Sequence, residues 1–187
     1  MDPRDAVMLT VREEEGGALH GRTLLQKKLY FASVLAKEDF GFRPHYYGPY
    51  SQTVAAAVDS VVSNGFLEES IKSFPGEANL FGEWRRHSYS LTDDGKAVVE
   101  ATPETEESAK WREALRTVNS HPVAQDFNLL SVAAKVHVIL KEMGKAKTTE
   151  ISRQAQHYGW QLSPGDIEKV GDYLEHLGLI TRTVPGQ

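Results

Sequence analysis

Cysteine is absent from this 187-residue chain, which excludes a disulfide scaffold, a thiolate zinc site and a cysteine nucleophile together. No apolar run reaches the ~18 residues that a membrane-crossing helix needs. The opening stretch MDPRDAVMLTVREEE is acidic and has no apolar core, so it does not read as an export signal. Positive charge is not in excess either: 21 Lys and Arg stand against 26 Asp and Glu, net −5 with histidines neutral. A general nucleic-acid binder would carry the opposite balance. Walker A, GxGxxG, GxSxG and HExxH patterns are missing. His20, His45, His87, His121, His137, His157 and His176 are scattered, which suggests no metal and no cofactor. His137 falls beside an apolar stripe and reads as a packed histidine. The adjacent Asp93 and Asp94 read as the first turn of a helix rather than an acid–base pair. The expectation is a cytoplasmic, non-enzymatic protein with no membrane segment.

What is present is an ordinary globular composition, 40% hydrophobic with 3 Trp, 7 Tyr and 7 Phe, enough to bury a core in one large or two small domains. A first helix is expected over about residues 3–14, stopped by Gly16-Gly17. In RTLLQKKLYFASVLAK, Leu25, Leu29, Ala32 and Ala36 form one stripe with Leu24, Phe31 and Leu35 beside it. So broad an apolar face predicts a central helix, with Arg22, Gln26, Lys27 and Lys37 at its solvent edge. An aromatic segment, FGFRPHYYGPYS, breaks helical periodicity at Pro44 and turns at Gly48-Pro49. Ser51 is the natural cap of a third helix with Val54, Val58, Val61 and Val62 in phase, ended by Asn64-Gly65. FLEESIKSF and WRRHSYSL then read as two strands of a hairpin, and Thr92 caps a short helix, DDGKAVVEA.

The C-terminal half repeats the helical theme. AKWREALRTV places Trp111, Leu115 and Val118 at helical spacing, as a connecting seam that either docks on the core or offers a surface for a partner or a second copy. LLSVAAKVHVILKEMG predicts a helix with Leu129, Val132, Ala133, Val136, Leu140 and Met143 on one face. A further helix, TTEISRQAQHYG, precedes Ser163-Pro164, which starts the last one, GDIEKVGDYLEHLG. LITRTV reads as a closing strand. The fold class expected is mainly α with a small β-hairpin wing. It comprises a winged helix-turn-helix domain over 1–101, a connecting helix within 102–125 and a second helix-turn-helix-like unit over 126–187.

One pattern has a family resemblance. Gly21, Arg22, Leu25, Gln26, Lys27 and Tyr30, followed by Tyr47, Gly48, Pro49, Tyr50 and Ser51, resemble the paired motif of the YwgA-like proteins. The pattern is also similar to the Panacea domain of many antitoxins, including the SocA-type proteolytic adaptor. The resemblance extends through LSVAAKVH at 130–137 and spans about residues 16–180. It implies a shared fold in which these motif residues serve the structure. Many YwgA-like members have no assigned activity, whereas Panacea members counter a partner toxin, which implies protein binding.

Charge on the candidate recognition helices decides between binding modes. The outward face of the third helix, Gln52, Ala56, Asp59 and Ser63, holds no Lys or Arg, and that of the last helix shows Glu168, Lys169, Asp172, Glu175 and His176. Reading a major groove needs cations and amides there. Against this, Arg85, Arg86 and His87 lie on the returning strand opposite Lys72, with Arg22, Lys27 and Lys28 nearby. Such residues suit phosphate contact by a wing, or simply keep a hairpin edge soluble. Tyr46, Tyr47 and Tyr50, with Arg43, form a ligand or stacking surface, or else pack between the second and third helices. The favoured expectation is a regulatory protein-binding module, antitoxin- or adaptor-like, with homodimerisation possible. The alternative is a DNA-binding transcriptional regulator using Lys72, Arg85, Arg86 and His87.

Overall fold

Asp2 starts the first helix: its side chain accepts from the Arg4 backbone N–H just ahead of a proline in the first turn, and α1 runs Pro3–Arg12. The computed structural model describes residues 1–75 and 83–182. Gly16 and Gly17 both adopt positive φ in a short 3-10 turn. The chain then forms a strand that hydropathy did not foretell, β1 (Ala18–His20). The elements α2 (Arg22–Ala36), α3 (Gln52–Ser63), β2 (Leu67–Pro75), β3 (Glu83–Leu91) and α4 (Asp93–Ala101) follow. Ser51 and Thr92 cap α3 and α4 as their sequence positions predict, accepting from the Val54 and Gly95 N–H groups. The loop expected at 75–83 lies outside the described residues between 76 and 82.

The three strands form one antiparallel sheet in the order β1–β3–β2. Register pairs Leu19 with Tyr89 and Lys72 with Arg86. Leu19, Leu67, Tyr89 and Leu91 face the core, whereas Ile71 is 52% exposed farther along the hairpin. The hairpin therefore extends beyond the apolar body. At its base Gly95 is obligatory, because a Cβ there would lie 2.0 Å from the Phe66 carbonyl oxygen.

Beyond the sheet come α5 (Glu106–Asn119), a 3-10 turn (Pro122–Gln125), α6 (Phe127–Met143) and α7 (Thr148–His157). The single final helix expected from periodicity is instead two, α8 (Pro164–Lys169) and α9 (Gly171–His176). The break falls at Val170, directly before Gly171, a poor helix former where a side chain would run into the Arg182 guanidinium at 3.1 Å. Residues 179–182 form no strand; Arg182 pairs with Asp172 and Glu175 instead. The remainder of the expected strand, 183–184, lies outside the described residues. No helix among the described residues is long and apolar enough to cross a membrane.

The buried side chains form one contiguous cluster running through all three sequence segments. Trp111, Leu115 and Val118 are wholly inside it, with α5 docked on α2, so they form no outward seam. The buried side of α6 is rotated from expectation. Leu130, Ala134, His137 and Ile139 are buried with Ala133 and Val136, whereas Met143 is exposed. The cause is double packing: α6 meets α2 on one side and α7, α8 and α9 on others.

α2 is enclosed along Leu24–Ser33 without a break. This corrects the expectation for its polar residues, since Gln26, Lys27 and Lys28 are all buried. Lys28 Nζ donates to both carboxylate oxygens of Glu14, at 2.6 and 2.7 Å, in an ion pair shielded from water. Glu14 thus belongs to the core, although it sits in an acidic run that looks like a solvent-facing helix end. Removing one partner strands the other charge in a dry site, at a cost of about 3–5 kcal/mol. Glu14→Gln should therefore lower stability in chemical denaturation by roughly that amount, and Glu14→Leu/Lys28→Met should recover most of it.

Candidate functional site

The two halves of the paired motif, separated in sequence, meet in space. Gln26 and Ser51 exchange two hydrogen bonds: Nε2 donates to the Ser51 carbonyl at 3.1 Å, and the Ser51 N–H donates to Oε1 at 3.0 Å. From the next residue of α2, Lys27 Nζ donates to the Pro49 carbonyl at 2.6 Å. Ser51 Oγ donates to the Phe40 carbonyl while accepting from the Val54 N–H, so it closes the segment as well as capping α3. Tyr30 reaches the opposite side, 2.7 Å from His137 Nδ1 on α6.

The aromatic segment itself is a small antiparallel ladder. Arg43 and Tyr50 exchange both backbone hydrogen bonds, and His45 and Gly48 exchange the next two across the turn. Gly48 has φ +99°, and a Cβ there would press on Lys27 Cε at 3.1 Å and Lys135 Cγ at 3.2 Å. The C-terminal half holds the turn from outside: Trp160 Nε1 donates to the His45 carbonyl at 2.8 Å, and Ser131 Oγ to that of Tyr47 at 3.1 Å. The rings do not pack between α2 and α3 as one reading expected. Tyr46 and Tyr47 are 68% and 58% exposed, edge-to-face at 4.8 Å, and Tyr50 is exposed beside His45. The side chains that hold residues 45–49 all donate to backbone carbonyls, those of His45, Tyr47 and Pro49, which leaves the phenols free to face water. A cleft of about 530 Å³ nearby is lined by Tyr30, Phe42, Arg43 and Pro49, but by none of Tyr46, Tyr47 and Tyr50.

Lys27 is the unusual group. Among the described residues its hydrogen-bond acceptor is the Pro49 carbonyl, and no carboxylate lies within ion-pair distance. Burial, and then the neighbouring Lys135 ammonium, push its pKa down to about 7. Burial likewise lowers Lys135, which stands 5.8 Å from the Trp160 ring centroid. His137 is held down at about 4 by burial and by Lys141.

A second cluster ties the hairpin to the start of α2. Glu69 Oε1 accepts from Arg22 Nη2 at 2.9 Å, Tyr89 Oη at 2.7 Å and His87 Nδ1 at 2.8 Å. Burial alone would raise this carboxyl, but donation from Tyr89, Arg22 and His87 outweighs it and holds Glu69 at about 2. The wing residues named from sequence are therefore not one set. His87 is engaged with Glu69, Lys72 and Arg86 are exposed cross-strand partners, and the Arg85 side chain lies outside the described residues. Lys27 and Lys28 are withdrawn from any surface patch. Glu69 and Glu14 are the participants that sequence reasoning missed, whereas His137, read as a packed histidine, is indeed buried, against Tyr30. The breadth of the apolar face on α2 was the available signal for Glu14, because a Lys28 enclosed with it requires a partner.

No family model matches the chain. It is 32% identical over 91 residues to "Uncharacterized protein YwgA" of Bacillus subtilis (strain 168), a match covering 46% of this chain and 48% of the relative. The match thus spans about half of each protein and supports a YwgA-like relationship.

Lys27 makes stability depend on pH with a definite sign. Its folded pKa lies below the unfolded value, so the unfolded chain binds more protons between about pH 7 and 10.5. The burial cost is present in full below about 7 and fades as pH rises. Relative to Lys27→Met, the wild type should gain about 2 kcal/mol between pH 7 and pH 9 in urea denaturation. Parallel pH profiles for the two proteins would contradict this assignment.

Proposed function

We propose that this chain is a non-catalytic, regulatory interaction module of winged helix-turn-helix type that works in the cytoplasm by binding a protein partner. The order α1–β1–α2–α3–β2–β3 with sheet order β1–β3–β2 supports the winged-helix description. The observation that carries the functional reading is the outer face of α3. Gln52, Thr53, Ala56, Asp59 and Ser63 are its exposed residues. In a groove-reading protein this helix would bring cations and amides to base edges and phosphates. Here it brings one amide, small side chains and a carboxylate. The lysines of α2 cannot compensate, because they are spent in the interior. A flat face of small side chains suits close approach of another protein, where charge is depleted at the interface centre. The resemblance to the Panacea domain adds an antitoxin- or adaptor-like role, in which the module neutralises or presents its partner.

The runner-up, a DNA-binding regulator, is favoured by one feature: Lys72 and Arg86 oppose each other on the projecting hairpin. Two cations release few counterions, so such binding would be weak and steeply salt-dependent. Co-purification from native lysate at ordinary salt should return a stoichiometric protein partner, lost with Ala56→Arg on α3. Promoter-containing duplexes should show no retardation in the same buffer. Retardation by the wild type that disappears in Lys72→Ala/Arg86→Ala would replace this reading with the DNA-binding one.

A further inference from the structure

β2 is an outer strand of the sheet, and the backbone bonds around it settle which of its groups face outward. In an antiparallel ladder a residue's N–H and C=O point to the same neighbour, and the direction alternates along the strand. His87 accepts from the Gly21 N–H at 2.8 Å on the β1 side of β3, and Phe66 accepts from the Thr92 N–H at 3.1 Å on the β2 side. Carried along the register, both bonds turn the backbone groups of Glu68, Ser70 and Lys72 toward β3. Those of Leu67, Glu69 and Ile71 point away from the sheet. Pro75 falls in the same outward set, where its missing N–H costs the ladder nothing.

This edge is complementary to itself. A second copy related by a two-fold axis would pair with it antiparallel, and outward groups meet only when the axis passes through a residue. With the axis at Ser70, Glu69 and Ile71 of one copy exchange backbone bonds with Ile71 and Glu69 of the other. Glu68 then stands opposite Lys72, on both sides of the axis, at the close positions where cross-strand charges interact most. Glu68, Ser70 and Lys72 are exposed, and among the described residues neither charge has an ion-pair partner. An axis through Glu68, Glu69 or Lys72 would set a like charge against itself, and one through Ile71 would leave Lys72 opposite Ser70. A lysine on an edge strand ordinarily discourages further pairing; the Ser70 register is the one in which Glu68 answers it. On the other face Ile71, 52% exposed, gains a neighbouring strand. There it lies opposite Glu69, whose carboxylate already has Arg22, Tyr89 and His87 as donors.

We propose that the outer edge of β2 is a homodimer interface, at which two copies join their sheets by antiparallel β2–β2 pairing about Ser70. An extended segment of another protein would meet the same backbone groups, but the order of charges along the edge is matched by a second β2. The interface uses no residue of the α3 face, so it stands or falls separately from the reading above.

Sedimentation equilibrium of the full-length protein over a concentration series should show a monomer–dimer equilibrium. Lys72→Glu and Glu68→Lys should each weaken the dimer at least about tenfold. The double exchange Glu68→Lys/Lys72→Glu should restore it, because every opposed pair is regained. Ile71→Pro removes an outward N–H without breaking a bond to β3 and should weaken the dimer as well. Circular dichroism and urea midpoints confirm that each variant folds. Ala56→Arg on α3 should leave the dimer intact. A monomer at every concentration overturns the proposal, as does a dimer that both single exchanges leave unchanged, that the double exchange fails to restore, or that Ala56→Arg abolishes.

Discussion

A helix enclosed on all sides must satisfy every polar side chain it carries, and in α2 that constraint organises the molecule. Gln26, Lys27, Lys28, Tyr30 and Ser33 are all buried, and each is satisfied by a different part of the chain. Lys28 draws in the segment after α1 through Glu14. Gln26 and Lys27 hold the aromatic turn and the start of α3. Tyr30 meets α6 through His137, and Ser33 returns to the α2 backbone at the Tyr30 carbonyl. Apolar burial alone would leave these neighbours free to slide, since it is non-directional. The hydrogen bonds fix their register, because a misplaced partner leaves a buried donor or charge unmet.

That arrangement links the interior to two exposed elements, the aromatic turn and the hairpin. The turn bearing Tyr46 and Tyr47 is set by Lys27 and Gln26 on one side and by Trp160 and Ser131 on the other. Four anchors, two from α2, one from α6 and one from the segment after α7, make it part of the scaffold. The hairpin is fastened in a comparable way, by Glu69 collecting donors from Arg22, Tyr89 and His87. Arg22 begins the same helix. Both ends of α2's polar stretch thus set the position of an exposed element.

Most helices were legible because their polar and apolar residues divide cleanly. In α3 the valines are inside and Gln52, Ala56, Asp59 and Ser63 outside, as spacing demands. The caps at Ser51, Thr92 and Ser163 were readable because their chemistry is local. What stayed hidden depends on distant partners. β1 is three residues long and exists because β3 offers it an edge. Glu14 reads as a solvent charge until Lys28 is placed beside it. α6 was assigned the wrong buried side because it packs on several faces, where a single stripe carries too little information. The motif residues were singled out by resemblance, but the contacts that join their two halves are tertiary.

The adjacent lysines of α2 show how differently one chemistry can be settled. Burial lowers the pKa of Lys28 as well, but there the Glu14 carboxylate at 2.6 Å opposes the shift. Lys27, the residue before it, faces a carbonyl and another lysine, and its pKa falls to about 7. An apolar residue of the same length would avoid the burial cost, but it would give the Pro49 carbonyl no donor and Gly48 no reason to lie where it does. A single long donor can reach a turn that approaches α2 end-on, where a Cβ at Gly48 would not fit. The energetic penalty at Lys27 and the fixed geometry of the exposed tyrosines are therefore two consequences of one contact.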